Sequence, residues 1–296
     1  MDLNGTSRIA LTVDLEDEHH GLGVDRGSST FESDVSYILD LFCALGVKAT
    51  FFVLGEIVKT HPAVVKKVAA GGHEVAFHGA THHFLADVGP ANFEKSIVRC
   101  VPSLEDLTGC AVRGFRAPYF SLARDTQWCL AVLARHGFRY DASLYSGPND
   151  RYGWLKAPTT PVEHAPTGML IFPVPLLHPM LPIAFSGGAY LRIMPWTIVM
   201  WGIRRHHALR LPGMIYFHPW EISSRLPWRR DAPLRANLTR HLFRKRMRAR
   251  LQRLLPALAP RLGRMADILL TLDHLPQWDP DEACSALGSA VGRHHQ

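Results

Sequence analysis

Ile9-Ala-Leu-Thr-Val-Asp-Leu-Glu-Asp17 is the stretch from which the fold is read. Its first five residues hold only one polar side chain, Thr12, and the run then meets acids at Asp14, Glu16 and Asp17. A short run without polar alternation is a strand covered on both faces, and such strands belong to parallel sheets. Working outward, Glu32 to Leu45 carries Val35, Ile38, Leu39 and Phe42 at helical spacing and stops at Gly46. Ala49 to Leu54 reads as a strand, Pro62 to Ala70 as a helix stopped by Gly71-Gly72, and Glu74 to Phe77 as a strand ending at His78. A helix over Phe93 to Thr108 precedes a strand at Gly114-Phe115 that ends at Arg116. Asp125 to His136 is helical, Phe138 to Tyr140 runs into Asp141, and Met214 to Phe217 delivers His218. Strand and helix alternate, and chemistry-bearing residues stand where strands end. That is the layout of a parallel α/β barrel, whose sites gather at the C-terminal ends of its strands.

An apolar fraction of 47% with 20% charged residues excludes a disordered chain. The net charge of +7 is a local property: Arg225 to Arg264 holds thirteen basic residues against Asp231 alone, so the rest of the chain is mildly acidic. The five cysteines (43, 100, 110, 129 and 284) form no CxxC pair, and their apolar neighbours predict buried free thiols in a reducing compartment. The first residues show no charged lead before an apolar core, so no signal peptide is expected. Ile193 to Ile203 is apolar but too short to span a bilayer, and Pro195 interrupts it. A cytoplasmic protein, peripheral at most to the inner membrane face, is the expectation.

His78 and His82 are four apart, a spacing that lets two imidazoles meet one cation. Asp14, Glu16 or Asp17 would add a carboxylate and leave positions for water and substrate, while a second acid takes a proton from that water. Arg116 is a bidentate partner for a carboxylate. Pro118 fixes a turn that could aim the Tyr119 N–H at a developing oxyanion. His218 could donate a proton to a leaving amine, its charge tuned by a carboxylate such as Asp141. Seventeen histidines make a chance i, i+4 pair common, so the pair counts only in the company of the acids.

Together, Thr12–Asp17, His78–His83, Arg116–Ser121, Tyr140–Ser143 and Tyr216–Glu221 resemble the ordered motifs of the polysaccharide deacetylases with a NodB homology domain, carbohydrate esterase family 4. Ser186-Gly-Gly-Ala-Tyr-Leu-Arg192 and His218-Pro-Trp-Glu-Ile222 are similar to segments of the subgroup associated with exopolysaccharide loci and exosortases. The resemblance implies a distorted (β/α)7 barrel holding one divalent cation, usually zinc. It implies Asp14 as base, His78 and His82 as metal histidines, Arg116 as the group orienting the base, Tyr119 as oxyanion donor and His218 as acid. Where the family has two adjacent aspartates this chain reads Asp-Leu-Glu-Asp, so the metal carboxylate is Asp17 or Glu16, with the lean to Asp17. The implied activity is removal of N-acetyl groups from an N-acetylhexosamine-containing polysaccharide or lipid-linked saccharide. Two other readings stand beside it: an allantoinase-like amidohydrolase on a small cyclic amide, and an inactive carbohydrate-binding or membrane-associated assembly protein.

Residues 1–223 are read as the barrel, 224–284 as a basic, largely helical extension and 285–296 as a frayed tail. Leu238, Leu242, Phe243, Met247, Leu251, Leu254 and Leu255 mark one amphipathic helix with arginines on its other face. Docked on the barrel, that face is solvated or meets an anionic membrane. No nucleic-acid motif accompanies the charge, and nucleic acid is not an expected partner.

Overall fold

The computed structural model describes residues 8–17, 20, 30–148, 153–223, 228, 234–242 and 244–282. The expected alternation is present. Strands β1 (Ile9–Leu15), β2 (Thr50–Val53), β3 (Glu74–Phe77), β4 (Gly114–Phe115) and β5 (Tyr140–Asp141) pair in parallel in chain order. Helices α1 (Phe31–Ala44), α2 (Gly55–Thr60), α3 (Pro62–Ala70), α4 (Leu85–Val88), α5 (Pro90–Thr108) and α6 (Trp128–Arg135) lie between them. Strand β6 (Val162–His164) turns back onto β7 (Met169–Ile171), and β7 joins β5 in parallel. A hairpin follows, β8 (Leu176–His178) with β9 (Leu181–Ala184), then α7 (Gly188–Ile193), α8 (Trp196–Ala208) and β10 (Gly213–Phe217), which pairs with β1. The parallel path β10-β1-β2-β3-β4-β5-β7 thus has seven strands, and among the described residues its ladder does not close between β7 and β10.

The two faces of this sheet are chemically distinct. One cluster, on the helix side, takes Ile9, Leu11, Val13 and Leu15 from β1, Phe51 and Val53 from β2, Phe77 from β3, and Ile215 and Phe217 from β10. The other takes Ala10, Phe52, Ala76, Tyr140, Ala142, Met214 and Tyr216. Successive side chains of a strand point to opposite faces, so parity assigns each residue to one side. Thr12, Asp14, His78, Arg116 and His218 share the parity of the second, inner set. Asp141 has the parity of the helix side.

The single amphipathic helix expected over 238–255 is two helices, α9 (Leu234–His241) and α10 (Arg244–Leu258). Between them the Leu242 carbonyl accepts a hydrogen bond from Arg192 Nη1 at 3.2 Å. Phe243 and the tail 285–296 lie outside the described residues. Met247, Leu251, Leu254, Leu255 and Leu258 of α10 are buried in the helix-side cluster. Beyond them β11 (Leu262–Gly263) pairs in parallel with β1, α11 (Met265–Leu269) follows, and β12 (Gln277–Trp278) pairs with β6. Of the cysteines, Cys100 and Cys129 are buried as expected, whereas Cys43 and Cys110 are exposed; each sits at or just past a helix end, where the apolar neighbours pack and the thiol does not. Cys284 lies outside the described residues.

Candidate active site

Strand β1 ends at Leu15, and the Glu16 N–H bonds back to the Asp14 carbonyl at 3.0 Å. This tight turn keeps Glu16 beside Asp14, both 2% exposed. His78 leaves β3 with the inner parity, and Gly79, at φ +90°, turns the chain so that His82 comes back over it. Ligand atoms of Glu16, His78 and His82 lie within 4.8 Å of one another. Glu16 Oε2 is 2.6 Å from His82 Nε2 and 3.9 Å from His78 Nε2.

Whether this trio suits a cation can be read from its hydrogen bonds. His78 Nδ1 lies 2.8 Å from the Arg116 carbonyl, which can only accept, so Nδ1 carries the proton. Burial pushes the ring down to about 4, so it is neutral and Nε2 presents a lone pair. That Nε2 is buried with no hydrogen-bond partner, and Glu16 Oε2 lies against His82 Nε2. Burial works to raise the Glu16 carboxyl, but the charges of His82 and His218 outweigh it and hold it well below the usual carboxylate range. A deprotonated carboxylate and a neutral imidazole, fixed by an outer hydrogen bond with its Nε2 orphaned, fit a divalent cation.

Asp14 is held from the other side. Arg116, fully buried, donates from Nη1 to Asp14 Oδ1 at 2.5 Å and to Thr12 Oγ1 at 3.0 Å. Its Nε reaches the Ala142 carbonyl at 3.3 Å, and the guanidinium lies 4.0 Å from the centre of the Phe52 ring. A buried guanidinium so fixed leaves Asp14 one bound oxygen and one oxygen turned to the pocket.

The free oxygen, Oδ2, is 3.7 Å from His218 Nε2, and Glu16 Oε1 is 3.6 Å from the same nitrogen. His218 arrives there because β10 runs beside β1 with Val13 opposite Phe217. Its Nδ1 is 3.0 Å from Glu221 Oε2, an oxygen that also accepts the His218 N–H at 3.1 Å. Glu221 Oε1 in turn accepts from Arg192 Nε at 2.6 Å. Burial would push the His218 ring down; the carboxylates of Glu16 and Glu221 overcome it and raise it to about 9, so it is protonated at neutral pH. Trp220 stacks on this ring at 5.2 Å and 19°, and donates from Nε1 to Glu16 Oε1 at 3.1 Å.

Tyr119 and Phe120 have φ of 58° and 54°, a left-handed conformation that non-glycine residues adopt only when their surroundings impose it. Here Tyr119 is clamped between His82, at 4.3 Å, and Phe84, stacked at 4.2 Å. The start of this loop is tied down by Ser143, whose Oγ accepts the Ala117 N–H at 2.7 Å and donates to Asp141 Oδ2 at 2.6 Å.

Two expectations give way. The carboxylate in the imidazole group is Glu16, which the turn after Leu15 holds beside Asp14, not the favoured Asp17, whose N–H donates to His20 Nδ1 at 3.0 Å. The carboxylate bonded to His218 is Glu221; Asp141, fully buried and pushed up to about 6 by burial, serves Ser143. Glu221, Arg192 and Ser143 were missed as working residues. For Glu221 a signal existed: an acid three residues after a histidine, across a proline-started turn, is placed to reach back to it.

Residues 8–140 match the family model "Polysaccharide deacetylase" and residues 142–269 match "Domain of unknown function (DUF3473)". The chain is 29% identical over 150 residues to the peptidoglycan deacetylase-like protein FGM2 of Gibberella zeae, covering 46% of this chain and 44% of that one. It is 31% identical over 121 residues to the peptidoglycan deacetylase of Helicobacter pylori, covering 41% and 40%. The chain thus spans less than half the length of these relatives. A Mycobacterium smegmatis structure assigned to the polysaccharide deacetylases superimposes with a TM-score of 0.62 at 18% identity, over 93% of this chain and 95% of the other, a likeness of fold. His218, Glu221 and Arg192 all come from the second matched segment.

Proposed function

We propose that this chain, whose residues 8–140 match the polysaccharide deacetylase family model, is a metal-dependent hydrolase that removes N-acetyl groups from an N-acetylhexosamine-containing glycan. The observation that carries the reading is the convergence of Glu16, His78 and His82 between Asp14 and His218. Two imidazoles and one carboxylate are a donor set that zinc takes in catalytic sites. A cation held there supplies Lewis acidity, polarising the acetyl carbonyl and acidifying water.

The protein's own groups do the rest. Asp14, with one oxygen fixed by Arg116, accepts the proton of the attacking water at its other oxygen. The Tyr119 N–H, on its constrained turn, is assigned to the developing oxyanion. His218, held by Glu221 at Nδ1, gives the Nε2 proton to the sugar nitrogen as the C–N bond breaks and acetate departs. Trp220 and Tyr119 offer aromatic surface to the sugar beside these groups.

A lipid-linked saccharide of the kind handled in exopolysaccharide synthesis is the finer reading. The similarity of the Ser186–Arg192 and His218–Ile222 segments supports it, because both contribute to the His218 relay. The arginine-rich C-terminal region would then meet the anionic cytoplasmic face of a membrane, although no helix of the described residues is long and apolar enough to cross one.

The test is acetate release from chito-oligosaccharides and from a lipid-linked N-acetylated sugar, with elemental analysis of the same preparation. One equivalent of zinc and release that stops on chelation are expected. Turnover that persists in metal-free protein would overturn the metal-dependent reading, and glycan binding without any release would favour the assembly protein. Hydrolysis of allantoin in place of either glycan would select the cyclic-amide enzyme.

A further inference from the structure

The residues behind His218 stand on two short pieces of chain. Glu221 ends the turn over Pro219–Glu221, and Arg192 belongs to α7, a helix of six residues. A helix so short gains little from its own ladder and takes its position from what it packs against. The Arg192–Glu221 pair nevertheless has to stay aimed at one atom, because Glu221 Oε1 accepts from Arg192 while Oε2 faces His218 Nδ1. The two pieces therefore need to be fixed from outside.

Helix α10 does this from both of its flanks. Met247 and Leu251 point into the helix-side core, and helical spacing sets residues 248 and 250 on either side of that buried stripe. On one flank Arg248 donates from Nε to the Ile222 carbonyl at 2.9 Å, directly after Glu221. Its Nη2 lies 3.2 Å from Oδ1 of the buried Asp34 on α1, and its guanidinium lies 4.4 Å from the centre of the Tyr37 ring, so the donor is itself held. On the other flank Arg250 donates from Nη1 to the Leu191 carbonyl, directly before Arg192. Arg192 Nη1 completes the tie by donating to the Leu242 carbonyl, just ahead of α10, at 3.2 Å.

We infer that α10 is a positioning element for the reaction, in which Arg248 and Arg250 hold the segments carrying Glu221 and Arg192 and so keep His218 aimed at the leaving nitrogen. This role rests on the hydrolase reading, and it gives the basic C-terminal region a part in the chemistry that charge alone does not. A basic face turned only to solvent would leave these two guanidiniums in water, whereas both donate to main-chain carbonyls next to the Arg192–Glu221 pair. Their effect falls on departure of the amine. Asp14, Glu16 and His78 are placed by β1, the turn after it and β3.

The experiment compares two substrates of the full chain, chito-oligosaccharide and para-nitrophenyl acetate. The phenolate of the ester leaves without being protonated, so its release needs activated water but no acid. Arg248→Met with Arg250→Met should lower kcat on the oligosaccharide on the order of tenfold to a hundredfold, with KM, zinc content and ester hydrolysis near wild type. Arg250→Lys, which keeps a donor on an aliphatic stem, should lose less than Arg250→Met. Lys245→Met, which removes an exposed cation from the same helix, should change neither rate. In protein with isotopically labelled histidine, the Nδ1 proton of His218 should give a far-downfield resonance that the double variant broadens or shifts. Unchanged kcat in the double variant would overturn the inference. So would an equal loss on both substrates, which would reduce α10 to a packing role. Should wild type cleave neither substrate, the hydrolase reading fails by itself, and the His218 resonance alone then upholds or overturns the orienting role of α10.

Discussion

Glu16 and Asp17 are neighbours in sequence with opposite fates. The grouping of Glu16 with both imidazoles predicts that Glu16→Gln lowers zinc content and activity together, whereas Asp17→Asn leaves zinc stoichiometry near wild type; elemental analysis of both checks it. Loss of one of three ligands should cost at least 10–100-fold in metal affinity, the range seen even for outer-sphere partners. At His218 the critical neighbour is Glu221. Glu221→Gln should retain zinc and lower kcat on the order of 100-fold, because the imidazolium loses the buried carboxylate that holds its Nδ1. Unchanged kcat in this variant would confine Glu221 to a packing role. The left-handed backbone at Tyr119 constrains replacements differently: Asn or Gly there satisfies the conformation but removes the ring that His82 and Phe84 clamp.

At the scale of elements, two short features decide stability. His73, in the turn before β3, accepts the Ala49 N–H at Nδ1 (3.1 Å), so its neutral form is the one the fold uses. Burial, with Lys48 and Arg264 nearby, lowers it to about 4 from an ordinary 6.5. Because protonation is easier in the unfolded chain, stability is complete above about pH 6.5 and falls as pH drops toward 4. After allowance for partial solvation the loss is roughly 1–2 kcal/mol. Denaturant titrations at pH 7 and 4.5 should show this component missing in His73→Asn, which keeps an acceptor without a titrating ring. Gly187 sits against Tyr216, where an added Cβ would meet the ring edge at 2.0 Å. Gly187→Ala should cost about 1–3 kcal/mol, read as a lowered melting temperature. Elements of this kind differ in how openly the chain announces them. β1, β2, β3 and β10 are apolar runs bounded by glycine or polar residues, and their order was legible. β11 is two residues whose only distinction is a partner more than two hundred positions away in β1, and no local pattern records that. Asp141 was readable in principle, because strand parity alone puts it on the helix side, whereas Glu16 is placed by the turn that follows β1. Arg192 was not, since its role depends on α7 folding back to meet the turn after β10.

In the whole molecule, the catalytic pocket and the C-terminal region share one fabric. Five α10 residues are buried in the helix-side core, and β11 lies along β1, the strand that carries Asp14. A chain ended at Ser223 should therefore lose cooperative thermal unfolding and protease resistance, and not merely charge; a sharp melt near the wild-type temperature would contradict this. The order in which the site's parts occur along the polypeptide has a further consequence. Glu16, His78 and His82 all lie on the N-terminal β1–β3 portion, while the acid and its carboxylate arrive only with the strand that closes against β1. During translation the cation's donors emerge long before the proton donor, but Glu16 follows β1, a strand that gains its β10 and β11 partners only at the end of synthesis, so ion capture and turnover should appear together. Ribosome-bound intermediates halted before residue 213 should accordingly neither retain zinc nor release acetate.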